Sequence, residues 1–209
     1  MSNHVPSESA DPAAHVKRLL DGGQLEPAIG FTIEKYGPEI LGFLVAALRD
    51  ADTADDVFSV FCEDVWKGLA GFRWEGALRA WLYTLCRRAL TRNRRSAYQR
   101  NRRGLSALGA LSQIADRVRT QTKDQLKAAS PTQFSSLRDQ LSEDDRVLLI
   151  LRVDRQLSWN EIAQTMQDGD GPLNDAALGR EAAALRKRFE RVKQRLRVLA
   201  KDAGLLPDE

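Results

Sequence analysis

Residues 50–90 read DADTADDVFSVFCEDVWKGLAGFRWEGALRAWLYTLCRRAL, and the charges of this stretch change sign half-way. Six carboxylates and no basic residue lie between Arg49 and Lys67. No acid then follows between Glu75 and Asp116, a run that contains nine arginines. Segregated charge of this kind predicts two faces for two partners, one of which is a polyanion.

The acidic part has the pattern of an amphipathic helix. Its apolar residues lie on one side of a helical wheel and its acids on the other. The polar side is formed by Asp52, Asp55, Asp56, Ser59 and Glu63. An ordinary solvated face explains this pattern, but such faces usually mix signs, so the uniform charge favours a binding surface. A capping box is expected at Thr53–Asp56, and two more at Ser142–Asp145 and Ser158–Glu161.

The arginine-rich part predicts a loop that enters a helix, with Leu78, Trp81, Leu82, Leu85 and Ala89 at helical spacing. Trp81 suits either the core or a ligand contact. Tyr83 and most of the arginines are expected off this apolar stripe. Arginine pairs with phosphate and stacks on bases, and aromatic rings stack on unpaired bases. The segment therefore indicates nucleic acid, with a merely solvated basic helix as the alternative.

A short capped helix, LSWNEIAQTM at 157–166, precedes a turn-rich segment and a long basic helix. This order predicts a helix-turn-helix, whose second helix enters the major groove. Because the apolar residues of the long helix alternate at spacings of four and three, a coiled-coil dimer is the alternative. Asn174 is placed to cap an early start of the long helix, which would then be extended at its N-terminus.

Composition excludes several functions. The only histidines, His4 and His15, lie near the N-terminus, which argues against histidine-dependent catalysis in the rest of the chain. Cys62 and Cys86 are expected to be buried thiols of a reducing compartment, and no cluster predicts a metal site. No apolar run approaches the roughly 18 residues of a membrane span. We expect a cytoplasmic, non-enzymatic protein with neither cofactor nor membrane insertion.

The predicted fold class is all-α, with two helical domains joined by a partly helical linker, because strand alternation is absent and helix signals recur. The predicted segments are an N-terminal tail at 1–24, a first helical domain at 25–103, a linker at 104–134, a second helical domain at 135–203 and a C-terminal tail at 204–209.

The order of these parts resembles the extracytoplasmic-function sigma factors of bacterial RNA polymerase, from about Tyr36 to Leu199. Ala54-x-Asp56, Val65-Trp66, Phe72-Arg73 and the run from Ala80 to Tyr83 fall in register with region 2 of that family. Residues 141–166 and 182–199 look like region 4, a helix-turn-helix.

The resemblance implies a transcription-initiation factor that binds core RNA polymerase through the largest-subunit clamp helices and the flap, and that also binds promoter DNA. Members of this family often have an anti-sigma factor as a further partner. The implied polymerase-binding residues are Asp52, Asp55, Asp56, Ser59 and Glu63. The implied residues for reading and melting the −10 element are Phe72, Arg73, Trp81, Tyr83, Arg88, Arg92 and Arg95. Those implied for the −35 element are Arg186, Lys187, Glu190 and Arg191.

Three positions depart from the family pattern. Ser59 replaces a usual glutamine in the acidic helix, and Arg88 replaces a usual asparagine in the helix that reads the −10 element. Arg92 stands where a polar or acidic residue is usual. The linker also lacks the acidity often found there. A helix-turn-helix regulator that works without polymerase is the alternative function.

Overall fold

The computed structural model describes residues 11–95, 109–128, 133–167 and 173–206. Within these ranges the chain is helical and has no strand, as predicted. The helices are α1 (Pro12–Asp21), α2 (Leu25–Leu48), α3 (Ala51–Gly68), α4 (Leu78–Arg95), α5 (Ala110–Ala128), α6 (Gln133–Arg138), α7 (Glu143–Leu149), α8 (Trp159–Met166) and α9 (Asp175–Asp202). None of these helices is both long and apolar enough to cross a membrane.

Helices α1 to α4 form the N-terminal half. Helix α1, inside the predicted tail, packs on α2 and buries Val16 completely. Helices α2, α3 and α4 share an aromatic core that includes Phe43, Phe58 and Phe61. Burial of such large apolar side chains contributes roughly 1.5–3 kcal/mol each. This core fixes which faces of α3 and α4 remain at the surface.

Two of the three predicted capping boxes mark real helix starts. Ser142 accepts a hydrogen bond from the backbone N–H of Asp145, and Ser158 and Glu161 form a reciprocal capping box. The prediction at Thr53 is wrong. Asp50 caps α3 three residues earlier, because its carboxylate accepts the N–H of Asp52 at 3.1 Å and also holds the Thr53 hydroxyl.

Helix α5, from the predicted linker, lies against α2 and α3. Glycines in α2 allow the close approach: a Cβ at Gly37 would lie 3.0 Å from a methyl of Val118, and one at Gly30 would lie 3.1 Å from Ile114. Ala115 and Val118 are buried in this contact. The linker helix therefore packs on the N-terminal half.

Helices α6 to α9 form the C-terminal half. Helix α7 ends in a wider helical turn at Ile150–Asp154, and α8 then packs across α9 with the rings of Trp159 and Phe189 5.5 Å apart. Asn174 caps α9 by accepting from the N–H of Ala177 at 2.8 Å. The predicted early start of this helix is confirmed.

The two halves share one core, and a polar cluster lies where they meet. Arg79 of α4 pairs with Glu39 of α2, with Nε 2.9 Å from the carboxylate, and donates to the Arg155 carbonyl at 2.8 Å. Burial alone would raise the pKa of Glu39, but hydrogen bonds from Arg79 and Tyr83 outweigh it and hold that pKa below its ordinary value. Arg87, 9 % exposed, pairs with Asp144 at 2.7 Å. These contacts hold the C-terminal half on α4.

Candidate nucleic-acid and protein interfaces

The acidic face of α3, defined as Asp52, Asp55, Asp56, Ser59 and Glu63, is divided by the structure. Asp52 and Asp56 are exposed at the surface. Asp55 and Ser59 instead contact the linker helix, with Lys123 Nζ 2.5 Å from the Asp55 carboxylate and Arg119 donating to the Ser59 hydroxyl at 2.6 Å. Glu63 lies 3.6 Å from Lys67 on the same helix. Two of the five residues of the predicted docking face are therefore in contact with α5.

A cluster of three aromatic rings precedes and begins α4. The Phe72 ring centroid lies 5.0 Å from that of Trp74 and 5.0 Å from that of Trp81. Gly68 allows the Trp81 ring to approach α3 closely, since a Cβ at Gly68 would lie 3.1 Å from the ring. Trp74 has a φ of 59°, a left-handed conformation that costs a non-glycine residue free energy. Packing against Phe72 holds this loop in place.

Two arginines of α4 continue this surface. Arg88 and Arg92 lie about two and three turns beyond Trp81, so the three share one face of the helix. Arg92 is anchored by an ion pair with Asp64 of α3. Arg73 lies exposed in the loop. We call Phe72, Arg73, Trp81, Arg88 and Arg92 the aromatic–arginine strip; it combines ring faces with guanidinium groups at the surface.

The structure places one predicted strip residue elsewhere. Tyr83 is fully buried and donates to the Glu39 carboxylate at 2.7 Å, so the expectation that it lies off the buried side of α4 is wrong. Burial, together with the Glu39 charge, raises the pKa of its hydroxyl, which stays protonated as a donor. Arg95 ends α4, and its side chain lies outside the described part of the chain, as do Arg100, Arg102 and Arg103 of the arginine-rich run.

The predicted −35 residues lie together on α9. Arg186, Lys187, Glu190 and Arg191 are all exposed, opposite the buried stripe of Ala182, Leu185, Phe189 and Val192. Glu190 pairs with Lys193 at 2.8 Å, which leaves the positive charges of this face in excess.

Sequence reasoning missed the part that Trp159 plays. Its ring lies between Arg152, 4.8 Å from the ring centroid, and Arg186, 5.9 Å from it. A cation over an indole ring contributes about 0.5–1 kcal/mol at an exposed site. Trp159 therefore restrains Arg186 on the exposed face of α9. Its position beside the Ser158 cap was the available signal, but only the folded contact shows it.

No group of histidine, cysteine and acidic side chains suited to a metal ion occurs among the described residues. Cys62 and Cys86 are buried, and burial raises the pKa of both thiols. Neither thiol is placed for nucleophilic chemistry, because the thiolate is the reactive form.

Comparison with known proteins shows the family of the chain. Residues 32–100 match the family described as Sigma-70 region 2. This range includes the acidic face and the aromatic–arginine strip. The RNA polymerase sigma-H factor of Pseudomonas aeruginosa is 30 % identical over 152 residues, covering 67 % of this chain and 75 % of that protein. The chain belongs to the sigma-70 family of sigma factors. This sigma factor is a transcription-initiation protein of RNA polymerase.

Proposed function

We propose that this sigma factor is of the extracytoplasmic-function type and directs initiation by binding −35 duplex DNA through α9 while the aromatic–arginine strip melts and reads the −10 element. The observation that carries the proposal is the strip itself. Phe72 packs against Trp81, and Arg88 and Arg92 continue the Trp81 face of α4 within the region 2 match. The proposed polymerase contacts are the clamp helices, which α3 would bind, and the flap, which region 4 would bind.

The strip supplies what unpairing a base requires. Unstacking one base costs a few kcal/mol, and an aromatic surface recovers roughly 1–3 kcal/mol of this. The Phe72 ring is half-buried and packs against two tryptophans. These contacts fix its position and leave part of the ring accessible to a base. Arg73, the next residue in the chain, and Arg88, on the Trp81 face of α4, supply positive charge for the phosphates of the opened strand.

Phe72→Ala is expected to leave the closed promoter complex intact and to reduce melting of the −10 element about tenfold. The alanine removes the stacking surface but no charge, so duplex binding persists. Permanganate reactivity of −10 thymines measures the opening, and a gel-shift assay on ice measures the closed complex. Val153→Ala, an exposed apolar truncation in the turn that follows α7, is the control. Wild-type permanganate reactivity in Phe72→Ala would place the melting surface elsewhere.

The exposed face of α9 suits the major groove. A helix fits that groove, where lysine and arginine contact phosphates and Arg186, Lys187 or Glu190 can reach base edges. Trp159 holds Arg186 on this face, so less conformational freedom is lost on binding than for an unrestrained side chain.

Arg186→Ala combined with Lys187→Ala is expected to weaken promoter binding by the holoenzyme roughly 10- to 100-fold and to reduce the slope of log K against log salt by about one to two. Fluorescence anisotropy at several salt concentrations measures both quantities. Lys17→Ala with Lys35→Ala removes the same charge from α1 and α2 and serves as the control. Tight promoter binding by the isolated chain, unchanged on adding core polymerase, would instead favour a polymerase-independent regulator.

A further inference from the structure

The linker helix presents a basic side to acidic partners in the N-terminal half. Arg117 lies 2.5 Å from Glu34, and Lys123 lies 2.5 Å from Asp55. Arg119 bonds Ser59, and its guanidinium carbon lies 5.6 Å from the centroid of the Phe58 ring. From the sequence alone, the low acid content of this linker has no physical explanation. These contacts supply one, because an acidic linker would be repelled from α2 and α3.

Helix α5 fits this surface in shape as well as in charge. Its apolar side, with Ile114 and Val118, lies directly over Gly30 and Gly37, where no α2 side chain intervenes. Thr122 is 2 % exposed in the same contact. A helix seated by both apolar burial and charge pairing occupies the surface as a protein ligand would.

We propose that α5 is a latch that masks Asp55 and Ser59, and that it must leave the acidic face before core RNA polymerase can dock there. This inference rests on the proposed use of the acidic face. If polymerase binds only the unlatched form, the measured affinity falls in proportion to the fraction of molecules in that form. The latch therefore sets the threshold at which the sigma factor competes for polymerase.

The geometry of promoters supports an opening step. Elements named −10 and −35 are about 25 base pairs apart, or roughly 85 Å at about 3.4 Å per base pair. In the closed chain, Arg79 and Arg87 of α4 bond directly to Arg155 and Asp144 of the C-terminal half. Compact units of about 100 residues have radii of gyration near 13 Å, so halves in contact cannot span that distance. The contacts between α4 and the C-terminal half must therefore open on promoter DNA; this step is separate from the release of α5, which packs on α2 and α3.

A reversible crosslink tests the latch in the full chain. Gly37→Cys with Val118→Cys places two thiols at the closest point of α2 and α5. The native Cys62 and Cys86 are fully buried and do not compete. The variant is oxidised, the oxidant is removed, and binding to core RNA polymerase is measured by fluorescence anisotropy with and without dithiothreitol. We expect at least tenfold weaker binding in the oxidised form, restored on reduction.

The opposite change is expected from releasing the latch. Arg119→Ala with Lys123→Ala removes both contacts to the acidic face and is expected to tighten polymerase binding roughly three- to tenfold. Lys17→Ala with Lys35→Ala is the charge-matched control and should not alter it. Hydrogen exchange should accelerate in α5 of the released variant only.

The outcomes distinguish a failure of the latch from a failure of the proposed function. Equal binding by the oxidised and reduced crosslink variant would overturn the latch and leave the proposed function standing. A correctly folded variant that does not crosslink, or a released variant with wild-type affinity, would also overturn the latch. Failure of the wild-type chain itself to bind core polymerase would instead overturn the proposed function.

Discussion

Asp55→Lys combined with Asp56→Lys is expected to weaken binding to core RNA polymerase by about 100-fold or more. The pair changes the charge of the acidic face of α3 by four units. Like charges placed opposite each other at an interface cost several kcal/mol, and every 1.4 kcal/mol is a factor of ten in affinity. Asp56 is exposed and Asp55 lies partly buried beside α5, and neither side chain belongs to the aromatic core.

The structure sharpens this experiment, because the two residues differ in their surroundings. Asp55 holds Lys123 of the latch, whereas Asp56 is exposed. Replacing Asp55 also releases α5, which by itself should raise the affinity. A net loss of polymerase affinity in the double variant therefore reports on the acidic face of α3 and not on the latch.

Co-purification with core polymerase and an anisotropy titration measure the effect of the double variant. Asp21→Lys with Glu26→Lys provides the same change of charge at the exposed junction of α1 and α2. Circular dichroism verifies that α3 persists. Wild-type affinity in Asp55→Lys with Asp56→Lys would remove the acidic face from the polymerase interface.

The sequence predicted those elements whose signals are local. The amphipathic pattern of α3 and the cap at Ser158 depend on residues within one or two turns, and both were found. The early start of α9 was also local, because it depends on the side chain of Asn174. Thr53 was chosen as a cap because a hydroxyl followed by an acid is the usual pattern. Asp50 caps the helix instead: its carboxylate accepts from the N–H of Asp52 and from the Thr53 hydroxyl, and its carbonyl accepts from the N–H of Ala54.

The errors arise where distant segments meet. Helix α4 has two buried faces, one against α3 and another against α8. A single apolar stripe reveals only the first. The second contains Arg79, Tyr83 and Arg87, polar residues whose partners Glu39 and Asp144 lie 40 to 57 positions away. No local periodicity can report such pairing. The docking of α5 was missed for the same reason, since its acidic partners belong to α2 and α3.

Tyr83→Ala provides the largest expected loss of stability. The side chain is fully buried, its ring packs edge-on against Phe43 with centroids 5.4 Å apart, and its hydroxyl donates to Glu39. Truncating a buried aromatic residue costs about 3–5 kcal/mol, because the ring leaves a cavity. Tyr83→Phe keeps the ring and loses one hydrogen bond to a charged group, and is expected to cost about 1.5–3 kcal/mol.

Urea denaturation followed by circular dichroism measures the free energy of unfolding of both variants. The contrast with Phe72→Ala distinguishes a core residue from a DNA-contacting residue. Phe72 is only half-buried, so its removal is expected to affect melting of promoter DNA far more than stability of the protein. Tyr83→Ala should show the reverse. The free energy of unfolding should fall strongly, and promoter opening should decrease only in proportion to the fraction of protein that remains folded. A stable Tyr83→Ala variant with a selective defect in melting would return Tyr83 to the DNA-contacting set. It would also mean that α4 turns its second face outward when the two halves separate.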